Sequence, residues 1–174
     1  VKITEYSIDS RTVVSPEHTL FFALTGSNHN GHDYISTLYA NGMRAFVINE
    51  YREEFTTLTE ANFIHVENVL VALQQLARHH RQQIITPVIG ITGSNGKTIV
   101  KEWIWIYQLM SASNSLKIYR SPRSYNSQVG VPLSLLGIEH DTDYSIIEAG
   151  ISRKGEMSRL EKMIQPTIGI FTHL

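Results

Sequence analysis

In residues 88–103, VIGITGSNGKTIVKEW, a β-branched run meets three evenly spaced glycines, then Lys-Thr, then a helical pattern. Few stretches restrict a fold as tightly. A buried strand must end in a glycine turn, and a helix must start directly after it. The order that follows is strand 88–92, helix 98–110, helix near 130–137, strand 144–148, helix 155–163 and strand 167–172. Strands alternating with helices predict a parallel sheet of the α/β class.

The glycine loop reads as a phosphate cradle, although it departs from the common G-x-x-x-x-G-K-[ST] spacing. Ile91 stands where that pattern wants glycine, and the sequence runs G-x-x-G-x-x-G-K-T from Gly90 through Gly93 and Gly96 to Thr98. Gly93 and Gly96 allow positive φ and a close ligand approach. The amides of residues 94–98 can then converge on one anion at a helix N-terminus. Lys97 adds a point charge for the β- and γ-phosphates, and Thr98 can offer a hydroxyl to Mg²⁺. The plainer alternative is a glycine-rich turn with a solvated lysine. A strand before the loop, a helix after it and the terminal Lys-Thr argue against it.

Upstream, LFFAL (20–24) and RAFVI (44–48) read as buried strands around a polar loop and a helix ending near Gly42. Val69, Leu70, Leu73, Leu76 and Ala77 lie at helical spacing behind a candidate N-cap, Asn68. Thr86-Pro87 breaks that helix. We therefore expect two domains, 1–84 and 85–174. The second stops straight after TIGIFT, with fewer strands than a doubly wound nucleotide domain usually has, so a fragment is expected.

YSIIEAG (144–150) is an apolar strand ending in Glu148, and His173 follows TIGIFT. Ligands of open parallel sheets sit beyond the C-terminal ends of the strands. Glu148 is thus a candidate Mg²⁺ ligand, or else an exposed strand-end glutamate. His173 is a metal or phosphate contact, or structural. His79 and His80 fall in a polar helix stretch and read as solvated.

Composition adds exclusions. The chain has 174 residues, 42% of them hydrophobic, enough for a core. A net charge of −1 gives no general attraction to nucleic acid or anionic membrane. No cysteine is present, which removes disulfide and thiolate chemistry. No run approaches a membrane span and the N-terminus has no apolar signal core, so a cytoplasmic protein is expected.

GITGSNGKTIVKE resembles the ATP loop of the Mur ligases, T-G-x-x-G-K-[ST], which build the peptide stem of the bacterial cell-wall precursor. The likeness extends in order along the chain. IDSRTVVSPEHTLFFALTGSNHNGHDYI resembles the N-terminal domain of the third- and fourth-step members. SYNSQVGVPLSLL resembles the N-x-x-[IV]-G-V-P segment, and IIEAGISRKGEMSRLEKMIQPTIGIFTHL the run that follows it. AGISRKGEM after Glu148, with Lys101-Glu102, is closer to the fourth-step members than to the third-step ones, which carry S-S-H there. SPRSYNSQVGVPLS is similar to members fused to a downstream alanine racemase.

The resemblance implies a small N-terminal α/β substrate domain followed by part of a P-loop-type ATPase domain. It implies ATP and Mg²⁺ as cofactors, and UDP-MurNAc-tripeptide and D-Ala-D-Ala as substrates joined through an acyl phosphate. Lys97, Glu148 and His173 become the catalytic residues, and Thr98, Glu148 and His173 the metal ligands. The nucleotide loop is Thr92, Gly93, Ser94, Asn95, Gly96, Lys97 and Thr98. Ser10, Ser27, Asn28 and His29 would meet the uracil end of the substrate, with Arg11, Gly31 and His32 shaping or lining that pocket. Asn126 would lie near sugar and phosphates. Read from the residues alone, Asp9 and Ser10 can equally cap a turn, and Gly31 can simply turn the chain. Ser127 replaces a second asparagine that the family often has, which puts its contacts in doubt. A magnesium-binding lysine and a C-terminal closing domain, both family features, do not occur in these residues, so residues 1–174 are expected to be inactive alone. The rivals are a third-step ligase adding a diamino acid, a folylpolyglutamate-synthase-like ligase, against which the D-S-R domain argues, and a non-catalytic UDP-sugar or nucleotide-binding module.

Overall fold

The computed structural model describes residues 2–111 and 116–173. They form two compact units, Val1–Leu73 and Gln74–Leu174, and the class is α/β, as the alternation of elements predicts.

The first unit carries β1 (Glu5–Ser7), β2 (Thr19–Phe22), α1 (Ile35–Ala40), β3 (Ala45–Ile48) and β4 (Asn62–His65). Its sheet is parallel, in the order β1-β2-β3-β4, with Leu20 opposite Ala45 and Phe46 opposite Phe63. All of β2 and β3 is buried. A parallel strand covered on both faces reads as an unbroken apolar run, which is why LFF and AFVI stand out. The core joins Phe21, Phe46, Phe55, Ile35, Leu38 and Met43. Phe63 stacks on Phe46 at 5.6 Å and on Phe55 at 5.3 Å between ring centres. β1 and β4 are short and only partly covered, so neither leaves a pattern in the sequence.

α2 (Val69–Gln83) starts as expected, with the Val71 amide donating to Asn68 Oδ1 at 3.0 Å. The chain divides inside this helix, ahead of the break at Thr86-Pro87. The reason is where its later side chains bind. Gln74 Nε2 donates to Gln128 O at 3.0 Å. Buried Arg81 donates to Ile164 O at 2.9 Å, Gln165 O at 3.2 Å and Ile84 O at 2.6 Å. His80 is not a solvated side chain: it is half-buried, its Nε2 lies 2.8 Å from Ile138 O, and its ring meets His140 edge-on.

The second unit continues with β5 (Val88–Thr92), α3 (Lys97–Met110), β6 (Ile118–Arg120), α4 (Gly130–Leu136), β7 (Tyr144–Ala149), α5 (Glu156–Ile164) and β8 (Ile168–Phe171). Its parallel sheet has the order β6-β7-β5-β8. β6, three half-buried residues, is a strand that the sequence reading passed over as loop. The register sets Ile91 opposite Glu148 and Thr92 opposite Phe171, so the ends of β5, β7 and β8 share one edge. No described helix is long and apolar enough to cross a membrane.

Candidate functional site

β5 leads into the glycine loop, where Gly93 has φ +139° and Gly96 φ +81°. A side chain at Gly93 would put its Cβ 2.8 Å from His173 O, so the loop lies hard against the end of β8. Hydrogen bonds from Ser94 and Thr172 stitch it there. The Ser94 amide donates to His173 O at 2.7 Å, and Ser94 Oγ lies 2.9 Å from His173 Nδ1. Thr172 Oγ1 donates to Asn95 O and, at 3.3 Å, to Thr92 O. Gly96 then caps α3, whose free first-turn amides and macrodipole favour an anion. Lys97 Nζ donates to Gly93 O at 2.6 Å, which holds the ammonium at the loop mouth.

Glu148 is fully buried rather than an exposed strand end. Its Oε2 accepts from Thr98 Oγ1 at 3.1 Å and from Asn126 Nδ2 at 3.4 Å. Its Oε1 pairs with Lys101 Nζ at 2.8 Å, an ion pair in which no donor is aligned as a hydrogen bond. Lys101 is itself fully buried. Sequence reasoning used Lys101 only as a family likeness and missed this contact. The sequence does place Lys101 one helical turn after Lys97, on the same face, which points it toward the site without naming Glu148 as its partner.

Asn126 is held by its backbone, its carbonyl accepting the Gly150 amide at 2.7 Å. A Cβ at Gly150 would press on the Asn126 side chain at 3.1 Å. Ser127 Oγ accepts the amides of Val129 at 3.3 Å and Gly130 at 3.1 Å, so it supports the start of α4. These residues surround a cleft of about 530 Å³ with the loop and Lys97 on one wall, Asn126 and Ser127 on another, and Ile151, Met157 and Phe171 as its apolar part. Thr98 and Glu148 bring two hard oxygens together, a pair suited to Mg²⁺ that completes its shell with phosphate and water. Among the described residues no group of three His, Asp or Glu is placed to hold a metal ion. The His173 imidazole, engaged by Ser94, is the softer donor of the expected set.

The first unit has its own pocket, about 320 Å³, lined by Asp9, Ser10, Arg11, His29, Gly31 and Tyr34 among others. Of the expected substrate residues it brings together Ser10, Arg11, His29 and Gly31. Ser27 and Asn28 lie exposed on the neighbouring turn and do not line it. His32 is buried behind the pocket, with Nδ1 2.7 Å from Asn30 Oδ1 and Nε2 accepting the Asn49 amide at 3.4 Å. Burial, and then the charge of Arg52, lower its pKa, so the ring is neutral and structural in its bonding. Gly31 has a packing reason to be glycine, because a Cβ would sit 2.7 Å from Ala23 Cα. The Arg11 side chain, bonded to Asp9 at 2.9 and 2.7 Å, holds the Asp9 carboxyl down at about 2.

Residues 2–81 match the Mur ligase family, catalytic domain, and residues 91–174 match the Mur ligase middle domain. The chain belongs to the Mur ligase family. Among its relatives is the UDP-N-acetylmuramoyl-tripeptide–D-alanyl-D-alanine ligase of Synechocystis sp., 34% identical over 174 residues, which are 100% of this chain and 37% of that protein. The ligase of the same name from Bacillus subtilis is 30% identical, over 91% of this chain and 33% of its own length. MurF from Acinetobacter baumannii superposes with a TM-score of 0.84 at 27% identity, over 97% of this chain and 35% of that one. MurF from Thermotoga maritima, solved with ADP, gives 0.78 at 27%, over 97% and 37%. The chain therefore spans little more than a third of the length of these family members.

Proposed function

We propose that these residues are part of an ATP-dependent amide ligase that joins D-Ala-D-Ala to UDP-MurNAc-tripeptide in cytoplasmic peptidoglycan precursor synthesis. The observation that carries this reading is the glycine loop with Thr98 hydrogen-bonded to Glu148, in a chain whose relatives are named for that reaction. In this reading residues 1–84 hold the UDP end of the substrate and residues 85–174 hold ATP. The likeness of SPRSYNSQVGVPLS to the fused members supports a parent with an alanine racemase downstream.

The residues divide the chemistry as follows. When bound, ATP supplies the phosphoryl group and Mg²⁺ offsets its charge. Thr92–Thr98 wrap the phosphates with backbone amides, and Lys97, whose ammonium has three donors, turns from Gly93 O toward the γ-phosphate. Thr98 and Glu148 would hold Mg²⁺ through hydroxyl and carboxylate, and His173 would contact a second magnesium. Asn126 steadies the substrate beside the loop. The tripeptide carboxylate attacks the γ-phosphorus, the bond from that phosphorus to the β,γ-bridging oxygen breaks, and ADP leaves as the acyl phosphate forms. The amine of D-Ala-D-Ala then adds to its carbonyl carbon, loses a proton and expels phosphate. Such a reaction is catalysed mainly by positioning and by neutralising charge as it moves. Ser10, Arg11, His29 and Gly31, which line one pocket, serve the UDP end, with His32 packed near them; Ser27 and Asn28, on the turn beside that pocket, would reach the substrate only where it extends past the rim.

The test is phosphate release by the full-length parent with ATP, Mg²⁺ and UDP-MurNAc-tripeptide. Release should depend on D-Ala-D-Ala and fall about 10²–10³-fold in Lys97→Ala, as for loss of one strong transition-state donor. Turnover with a diamino acid and the shorter precursor instead would make it a third-step ligase. Nucleotide binding without turnover would make it a binding module. Residues 1–174 alone should show no release.

A further inference from the structure

We propose that Lys101 is a positioning residue that sets how Glu148 faces the nucleotide, an inference that rests on the metal role proposed above for Glu148. The reason begins with burial. A lysine ammonium with no exposure is rare and costly unless every donor is used. The Lys101 charge is paired with Glu148 Oε1 at 2.8 Å and with Glu102 Oε1 at 3.4 Å, and its ammonium donates to Ser121 O at 2.9 Å and to Arg123 O. The last of these needs an unusual backbone, since Arg123 holds φ +49°, a left-handed conformation in a non-glycine residue.

The consequence is division of labour within one carboxylate. Lys101 occupies Oε1, so Oε2 alone turns toward Thr98 Oγ1 and Asn126 Nδ2. The Glu148 amide is also fixed, donating to Ser121 Oγ at 3.1 Å, and the Ser121 amide donates to Ile146 O at 2.9 Å. One ammonium thus joins three parts of the site: the helix after the glycine loop, the end of β7, and the segment from Ser121 that carries Asn126. Lys101 lies against Glu148 and Glu102, and Glu102 also pairs with Arg120, so two positive and two negative charges cancel and leave the floor of the site with little net attraction for a free cation. A divalent ion should therefore bind well only together with the phosphates. Lys101 has no exposure, so it acts through Glu148 rather than on a ligand directly.

The test measures ADP affinity of the full-length parent with Mg²⁺ and in EDTA, for wild type, Lys101→Met, Glu148→Gln and the double variant. A melting curve confirms that each is folded. In Lys101→Met the EDTA affinity should stay within about threefold of wild type, while the Mg²⁺ enhancement falls at least about tenfold. The double variant removes both buried charges and should melt higher than Lys101→Met, yet its Mg²⁺ enhancement should stay lost. If Lys101→Met keeps the wild-type enhancement, Lys101 is only structural and the inference fails. If Lys101→Met does not fold, Lys101→Gln is measured in its place, and the same loss or retention of the Mg²⁺ enhancement decides. If wild type itself shows no Mg²⁺ enhancement, the metal role of Glu148 fails first and this inference falls with it.

Discussion

Both sheets are parallel and four-stranded, but only one of them reverses its order. In the first unit the chain steps from β1 to β4 always to the next neighbour. In the second it leaves β5, crosses to β6 at one edge, returns through β7 beside β5, and then passes to β8 on the other side. Where strand order reverses, the loops leaving adjacent strands part, and a crevice opens beyond their C-terminal ends. The contents of the two units follow that difference. The steady sheet buries phenylalanines. The reversing sheet buries Lys101, Glu148 and Ser121 beneath its crevice. Its residues are far apart in sequence, whereas the pocket of the first unit is framed by local turns such as Asp9–Arg11.

The largest way to break this comparison is Phe46→Ala. Phe46 has no exposure and sits at the centre of the aromatic core, so the loss should be about 3–5 kcal/mol, read from the denaturant midpoint of the first unit's transition. Nucleotide affinity should be unchanged. Its loss would show that the two units share one cooperative transition.

Gly93→Ala sharpens the other half. It asks an alanine to hold φ +139° and to place its Cβ against the end of β8. Strain of about 1–3 kcal/mol is expected, seen as weakened ADP binding with the first unit's stability intact. Wild-type affinity would mean that the loop need not lie against His173.

The smallest effect belongs to Asp9. Its carboxyl is held at about 2, against an ordinary 3.8, by the Arg11 side chain and then the Arg11 amide. A depressed carboxylate stabilises fully above its unfolded value and stops doing so as pH falls through its folded one. The melting-temperature gap between wild type and Asp9→Asn should therefore be constant above pH about 5 and close toward pH 2. Arg11 is exposed, so salt should narrow the gap as well. A gap that persists at pH 2 would assign the effect to the turn rather than to the charge.

The same contrast explains what could be read from the sequence. β2, β3, β5 and β7 were legible because burial leaves unbroken apolar runs. β1, β4 and β6, three or four residues each and mostly half-covered or exposed, carry no period long enough to detect. The loop from Gly93 to Thr98 announces itself because local backbone geometry demands glycine there. Glu148 could be placed at the edge of the sheet by topology. Its burial against Lys101 could not, because that contact spans distant positions and depends on how α3 lies on β7. Ser27 and Asn28 are the converse: a motif located their turn, and only coordinates show that it stands beside the pocket rather than in it.

Arg81 has a consequence for exchanging parts between family members. The apparent joint at Thr86-Pro87 invites a crossover between residues 82 and 87, yet Arg81 closes the C-terminal carbonyls of α5 from within the preceding helix. A chimaera cut there would take its guanidinium from one parent and its helix end from the other. Recombination should thus succeed before Gln74, or later only where the donor helix brings an arginine in register. The seam of inheritance lies inside a helix, and the proline that looks like punctuation falls in the middle of a sentence.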